Sequence, residues 1–351
     1  MAPLKPTYTL TAGTLEASSA TPVGGPLRFV VERDMDVPAD CLQLWLAKRG
    51  DLAPGDPVTL RLGHDGAEEQ VFTGKLARLR PAIDGVAALA LGPMQALLDL
   101  RAAAFFEGQT AGAVARDLAG QAGMDAGAVD EGPQLPRFAV DLRLSAYAHL
   151  RGLAERLGFE IYASREGALM FHALGAAAGL DAGGLGGGLG GAIASAAAAL
   201  LGGGAEGYRF GQHLLEARGD RRPAPLGTVE VGGESPMSGQ GDTTAHWLTT
   251  NDSDYRGAAG DGEPRLLVLD PAARTKDLAD RFAAGLLATA GRRAHQTSVR
   301  VLGRPGVDLG QQVDVGDLPD ASLNGGGYVR AIRHRFGAGD GFVTELRICN
   351  E

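Results

Sequence analysis

The chain has 351 residues and a mass of 36.1 kDa, long enough for two or three domains with cores of their own. With 33 Lys and Arg against 42 Asp and Glu, a net charge of −9 and no dominant basic face, it lacks the electrostatic footprint of a protein that coats nucleic acid. Its two cysteines, Cys41 and Cys349, support neither a disulfide framework nor a thiolate metal site, and no apolar signal segment follows Met1-Ala-Pro-Leu-Lys-Pro6, so export would need another route.

Residues 7–92 read as β throughout. Short apolar runs at Tyr8–Leu10, Leu27–Val31, Leu42–Leu46, Val58–Leu62, Val71–Phe72 and Val86–Leu91 are separated by turn residues such as Pro54-Gly-Asp-Pro57 and His64-Asp-Gly66. Six short strands at this spacing predict a small barrel or sandwich.

Helical signals take over at Gly92. The pattern predicts a helix over Met94–Leu100 and a second capped by Thr110, with Val114, Leu118 and Ala122 on one face and Gly123 as its stop. Pro133 and Pro136 mark a loop. Ser145 then caps a third helix with Leu150, Leu153, Ala154 and Leu157 as its stripe and Gly158 as its end, and a hairpin over Phe159–Tyr162 and Leu169–Phe171 completes an α/β unit.

From Ala182 to Ala205 there are no charged residues and ten glycines. Gly and Ala supply too little transfer energy for a membrane span. Gly186-Gly-Gly188-Leu-Gly-Gly191 matches a dinucleotide fingerprint only in form, because no strand precedes it. The expectation is a flexible insertion with a short helix at Ile193–Leu201. Strand character returns at Tyr208–Phe210, His213–Leu215 and Thr228–Val231, a polar linker runs from Gly232 to Pro264, and Leu266–Leu269 leads into a helix over Arg274–Ala290 with Leu278, Phe282, Leu286 and Leu287 facing inward.

After a strand at Ser298–Leu302, the last stretch, Gly310–Ile348, reads as a three-stranded meander and has a counterpart near the start. Gly55-Asp-Pro-Val58 mirrors Gly310-Gln-Gln-Val313. Phe72 follows Val58 by fourteen positions and Tyr328 follows Val313 by fifteen, while the turn glycines Gly85 and Gly341 each follow by thirteen more. Two similar β-modules are expected, with Phe72 and Tyr328 at equivalent positions. The implied segments are 1–92 for the first module, 93–173 for the α/β unit, 174–206 for the insertion, 207–265 for return strands and linker, and 266–351 for a helix plus the second module.

Catalytic patterns are absent. There is no Gly-x-Ser-x-Gly elbow, and the seven histidines form no metal-binding pair, so neither a cofactor nor a catalytic, cofactor-binding or metal-binding residue is assigned. Glu155 and Glu160 have the residue types of a glycosidase pair but read as solvated surface carboxylates. His334, between Arg333 and Arg335, reads as a half-exposed packing residue, and Asp252 and Asp254 as turn formers.

Several short motifs occur in a telling order: Pro54-Gly-Asp56-x-Val58, Phe72-Thr-Gly74, the Thr110 and Ser145 helices, Gly158-Phe159, Gly303-Arg-Pro305, Leu309-Gly310-x-x-Val313, Asn324-Gly-Gly-Gly-Tyr328-Val329, His334-Arg-Phe336 and Gly341-Phe342-x-Thr344. In that order, over nearly the whole chain, the sequence resembles the phage late control D family of baseplate hub proteins. The same fold forms the base of valine-glycine repeat protein G of type VI secretion and the hubs of extracellular contractile injection systems.

The resemblance implies a mainly β chain with α+β insertions, carrying two similar small β-barrels and a helical α/β unit. It implies a homotrimeric, non-enzymatic ring that joins a sixfold inner tube to a threefold spike within a baseplate that also holds wedge proteins. Such a particle is assembled in the producing cell's cytoplasm. The glycine-rich tract is not a core part of the pattern, and the end at Glu351 implies that the spike is a separate polypeptide. The alternatives are a particle-borne cell-wall hydrolase, or a monomeric surface- or carbohydrate-binding β-protein, against which the 5% aromatic content counts.

Overall fold

The computed structural model describes residues 4–21, 26–48, 50–174, 206–233, 256–292, 294–339 and 341–350. The 182–205 tract with its expected helix, and Asp252 and Asp254, lie outside the described residues.

The first seven strands are β1 (Pro6–Ala12), β2 (Leu15–Ser18), β3 (Pro26–Asp34), β4 (Cys41–Leu46), β5 (Pro57–His64), β6 (Ala67–Ala82) and β7 (Gly85–Leu91). Strict alternation places every second side chain inside: in β4, Leu42, Leu44 and Leu46 are buried while Cys41, Gln43 and Trp45 are half-buried.

Next come α1 (Gln95–Asp99), β8 (Ala104–Thr110), α2 (Ala111–Gln121), β9 (Ala126–Val129), β10 (Gln134–Val140), α3 (Ala146–Leu157), β11 (Phe159–Ala163) and β12 (Leu169–Ala173). The caps fall where the sequence puts them. Thr110 accepts from the Ala113 amide, Ser145 from the Ala148 amide, and Gly158 ends α3 at φ 71°. The loop expected around Pro133 and Pro136 is instead β10, paired antiparallel with β8. Pro136 is tolerated because, among the described residues, β10 is an edge strand with β8 as its sole partner.

The rest comprises β13 (Glu206–Arg209), β14 (Leu214–Arg221), β15 (Thr228–Gly233), β16 (Arg256–Gly260), β17 (Arg265–Asp270), α4 (Lys276–Gly291), β18 (His295–Leu302), β19 (Gln312–Gly316), β20 (Gly325–Gly337) and β21 (Gly341–Asn350). The helix expected to accompany the second β-module, α4, instead packs into the helical unit. Its Phe282 and Leu278 share one core with Leu118, Leu150, Phe171 and Val229. Gly285 brings it close to α3, since a Cβ there would strike the Arg156 carbonyl and the Gly158 amide.

Thirteen strands form one mixed sheet whose main path runs β14-β18-β21-β20-β3-β4-β7-β6-β5-β1-β2, with β19 on β20 and β13 on β19. Within it one arrangement occurs twice. In the first half, chain order β1, β3, β4, β5, β6, β7 gives sheet order β3-β4-β7-β6-β5-β1. In the second, chain order β13, β14, β18, β19, β20, β21 gives sheet order β14-β18-β21-β20-β19-β13.

The registers agree in detail. Gly55 and Gly310 are both left-handed, at φ 96° and 78°. Their amides donate to the Leu76 and Val329 carbonyls at 2.7 and 2.8 Å. Val58 lies opposite Gly74, and Val313 opposite Gly327. Bulges fall at Ala77 in β6 and Arg330 in β20, and at matching positions in β3 and β14.

Two expectations need correction. The bulges and glycines make Tyr328 equivalent to Lys75, not to Phe72, because Lys75 pairs with Leu91 as Tyr328 pairs with Cys349. Spacing was a poor guide because the segment from Val58 to Gly74 is two residues longer than that from Val313 to Gly327. Among the described residues, moreover, no ladder closes either half into a barrel: β1 does not pair with β3, nor β13 with β14. The halves differ also in that β1 lies antiparallel to β5, while β13 lies parallel to β19.

A Cβ on Gly74 would collide with the Leu91 carbonyl, and one on Gly327 with the Cys349 carbonyl. Gly74→Ala and Gly327→Ala are each expected to lower stability by about 1–3 kcal/mol, measured by urea unfolding. A loss confined to one of them would refute the structural equivalence.

Candidate functional site

The chemically distinctive region is the seam where the two halves and the helical unit meet. β20 builds it. Its first residues pair with β19, then the bulge at Arg330 redirects the strand so that Ala331–Gly337 pairs with β3 across Arg28–Asp34. The bulge also aims Arg330 into the interior, where it is only 2% exposed.

Arg330 Nη1 donates to Glu160 Oε1 at 2.6 Å, and its Nε and Nη2 reach the Asp36 carboxylate at 3.1 and 2.8 Å. Arg292, just past α4, lies 2.9 Å from the same Glu160 oxygen, and the Tyr328 hydroxyl donates to it at 3.3 Å. Arg347 closes the chain on Asp34 and Asp36 at 2.6 and 2.9 Å. Three guanidinium groups thus alternate with three carboxylates drawn from β3 and its following turn, β11, the end of α4, β20 and β21.

Arg33 anchors a second cluster. Its Nε donates to Asp40 at 2.9 Å, Nη1 to Asp308 at 2.6 Å and Nη2 to the Ala163 carbonyl at 2.8 Å. Arg165 adds Asp308 at 3.1 Å and Glu69 at 2.8 Å. Burial acts to raise the Asp308 carboxyl, but Arg33 and Arg165 outweigh it and hold the group below the usual carboxylate range.

The sequence candidates land differently from their reading. Glu160 is not a solvated carboxylate but fully buried, because all five residues of β11 are inside. Glu155 stays near the surface, paired with Arg151 one helical turn away at 2.8 Å. With Glu160 locked between two arginines, the two do not form an acid/base pair. His334 is buried rather than half-exposed. Its Nδ1 lies 2.9 Å from Thr344 Oγ1, and burial, reinforced by Arg33 and Arg165, pushes its pKa down to about 3.

A cleft of about 600 Å³ crosses the seam, lined in part by Cys41, Glu32, Arg333 and Arg300. Several of its charges pair with one another, as in Arg333–Glu32 at 2.9 Å. Burial, helped by Glu32, raises the Cys41 thiol to about 11, so it is protonated at neutral pH and a poor nucleophile. Among the described residues no group of three or more His, Cys, Asp or Glu is arranged to hold a metal, and no helix is long and apolar enough to cross a membrane. The arrangement holds parts together.

Comparison with solved structures agrees with this architecture. The 43 kDa tail protein of prophage MuSo2 from Shewanella oneidensis superimposes with a TM-score of 0.68 at 14% identity, over 99% of this chain and 98% of that one. A tail protein from Neisseria meningitidis MC58 gives 0.69 at 14% identity, over 99% and 97%. The fold is that of phage tail proteins. A type VI secretion component from E. coli, itself described as similar to T4 bacteriophage tail proteins, shares this tail-protein fold at a TM-score of 0.56 and 11% identity, over 97% of this chain and 76% of that one. No family model and no curated protein matches the sequence. The buried ionic seam was not read from the sequence, where its members are scattered from Asp34 to Arg347; the one local signal was a Glu inside an otherwise apolar strand.

Removing one partner of a buried ion pair strands the others. Glu160→Gln is therefore expected to destabilise the fold by about 3–5 kcal/mol, and Glu155→Gln by less than about 1 kcal/mol, both read from urea midpoints. Equal effects would show that Glu160 is not the seam's keystone.

His334 gives a pH signature. In an unfolded chain imidazole titrates near about 6.5, and in the fold at about 3. Between these values the unfolded chain binds a proton that the folded chain refuses, so stability is complete above the upper pKa and falls as the solution is acidified toward the lower. From pH 6.5 to 4 the wild type is expected to lose stability more steeply than His334→Gln, by up to about 1.4 kcal/mol per pH unit. Parallel pH profiles would refute this.

Proposed function

We propose that the protein is a structural hub of a contractile tail or injection machine, a homotrimer joining a sixfold inner tube to a threefold spike. The observation that carries this reading is the doubled strand arrangement. Three copies of a chain with two equivalent six-strand units present six near-identical units, which suits a part that meets threefold symmetry on one side and sixfold on the other.

The buried ionic seam supports the reading from a second direction. Two units that must keep a fixed angle under load are held by directional, geometry-specific contacts as well as by apolar packing. The strands of each half serve as the two modules, β1 and β3–β7 in one and β13, β14 and β18–β21 in the other, with the 93–173 unit bracing them. The tail proteins of the same fold point to a tail or injection particle, assembled in the cytoplasm of the producing cell, with tube, spike and baseplate wedge proteins as neighbours. The role is mechanical, with no bond made or broken and no cofactor required.

Light scattering of the purified chain is expected to give a mass near three times 36.1 kDa, about 108 kDa. A monomer, both alone and with a candidate spike protein, would refute the hub.

A further inference from the structure

Duplication lets one face of the sheet be compared with its own counterpart. On β3, β4, β7 and β6, every second side chain enters the core and the others stand on the opposite face. One row across that face runs Arg28, Trp45, Ala87, Arg80. The next runs Val30, Gln43, Leu89, Arg78, and Lys75 pairs with Leu91 in a third. Trp45, Ala87, Leu89 and Leu91 are half-buried, while Lys75, Arg78 and Arg80 are exposed.

The ladders of the second half give the equivalent rows. Arg28, Trp45, Ala87 and Arg80 correspond to Glu216, Arg300, Glu345 and Arg333, and Val30 and Leu89 to Arg218 and Arg347. That second face supplies its own counter-charges. Glu216 takes Arg218, Glu345 takes Arg335 at 3.4 Å, and Arg347 reaches Asp34 at 2.6 Å. The first face has no such supply. Its first two rows hold no acid, and Glu32 in the third is taken by Arg333 at 2.9 Å. Among the described residues Arg28, Lys75, Arg78 and Arg80 have no carboxylate partner. A chain of net charge −9 thus gathers uncompensated cations around an apolar centre.

Arg28 lies over the Trp45 ring, 5.1 Å from its centroid, with its Nε buried and without a hydrogen-bond partner. Stacking fixes the guanidinium plane and leaves its in-plane N–H groups for an incoming acceptor.

We propose that this face docks an acidic segment of a partner protein, one per chain. Its carboxylates meet Arg28, Lys75, Arg78 and Arg80, and its apolar side chains rest on Trp45, Leu89 and Leu91. A protein fits better than a nucleic acid, because an apolar centre with a charged rim is the anatomy of a protein interface. Arg28 also occupies one face of the aromatic ring on which a base would stack. The proposal deepens the hub reading by naming the chemistry of a partner. It also gives a ring of six near-identical units only three such faces, so that a threefold partner can tell the halves apart. Four strands span about 15 Å, which makes a single contact weak and three on one ring cooperative.

The test uses the full chain and, as probe, a fluorescein-labelled peptide of alternating Glu and Leu followed by anisotropy. Wild type is expected to bind one peptide per chain and to release it as salt rises, and to ignore the same peptide with Lys in place of Glu. Arg78→Ala with Arg80→Ala is expected to weaken binding about three- to tenfold. Arg218→Ala with Arg300→Ala, the same charge change on the second half, is expected to leave it unchanged. An unlabelled peptide is expected to shift the tryptophan emission of wild type but not of Trp45→Phe. Equal losses from the two pairs of substitutions, an emission change that survives Trp45→Phe, or tighter binding of an oligothymidylate of equal charge would overturn the docking of an acidic protein segment here. A trimer that binds no peptide would overturn this face alone, and a monomer that binds it would overturn the hub alone.

Discussion

The architecture depends on one strand serving two partners. β20 leaves β19 at Gly327–Tyr328 and takes up β3 at Ala331, and between them lie Val329 and the bulge at Arg330. A bulge bends its strand and re-aims a side chain. Here it turns the strand into the neighbouring half and delivers a guanidinium to a carboxylate that α3 and β11 have carried inside. A buried ion pair contributes little net stability over an apolar substitute, since desolvation takes back most of the Coulombic gain. Its value is geometric: Arg330 reaches both Glu160 and Asp36 only when the two halves and the helical unit sit in one relative position. Apolar contacts such as Phe29 against Phe336, 5.5 Å between ring centroids, supply adhesion. The ionic chain selects the angle.

Local signals made much of the fold legible. Caps at Thr110, Ser145 and Gly158 work through the chemistry of a single residue and its nearest amides, so sequence suffices to place them. The left-handed glycines Gly55 and Gly310 also revealed the repeat, because each is required by a turn that admits little else. What failed was set by distant partners. Phe72 and Tyr328 match in spacing and aromatic character, but register is decided by Leu91 and Cys349 on the adjoining strands. Pro136 signals a loop locally and is admitted to β10 because, among the described residues, that strand has no second neighbour. Glu160 and His334 are polar by type and buried by context, and nothing within a few residues of either discloses the arginines and the threonine that receive them.

The two halves differ where their surroundings differ. Beyond its bulge β6 runs from Ala77 to Ala82, whereas β20 continues from Arg330 to Gly337, and the added length lies along β3. β3 carries Phe29, Val30 and Val31, all buried. The equivalent residues of β14 are Ala217, Arg218 and Gly219. The first seam forms once, as the chain folds, and carries these buried apolar side chains beside its ion pairs. Among the described residues the second set of edges has no strand partner, and an apolar version would be a template for uncontrolled pairing. Arg78, Arg80, Pro81, Arg218, Arg221 and Arg222 make those edges polar, and Asp220 pairs with Arg222 on its own strand at 2.7 Å. Duplication supplied the same geometry twice. Divergence made one copy of the seam a buried joint and left the corresponding edges of the other polar.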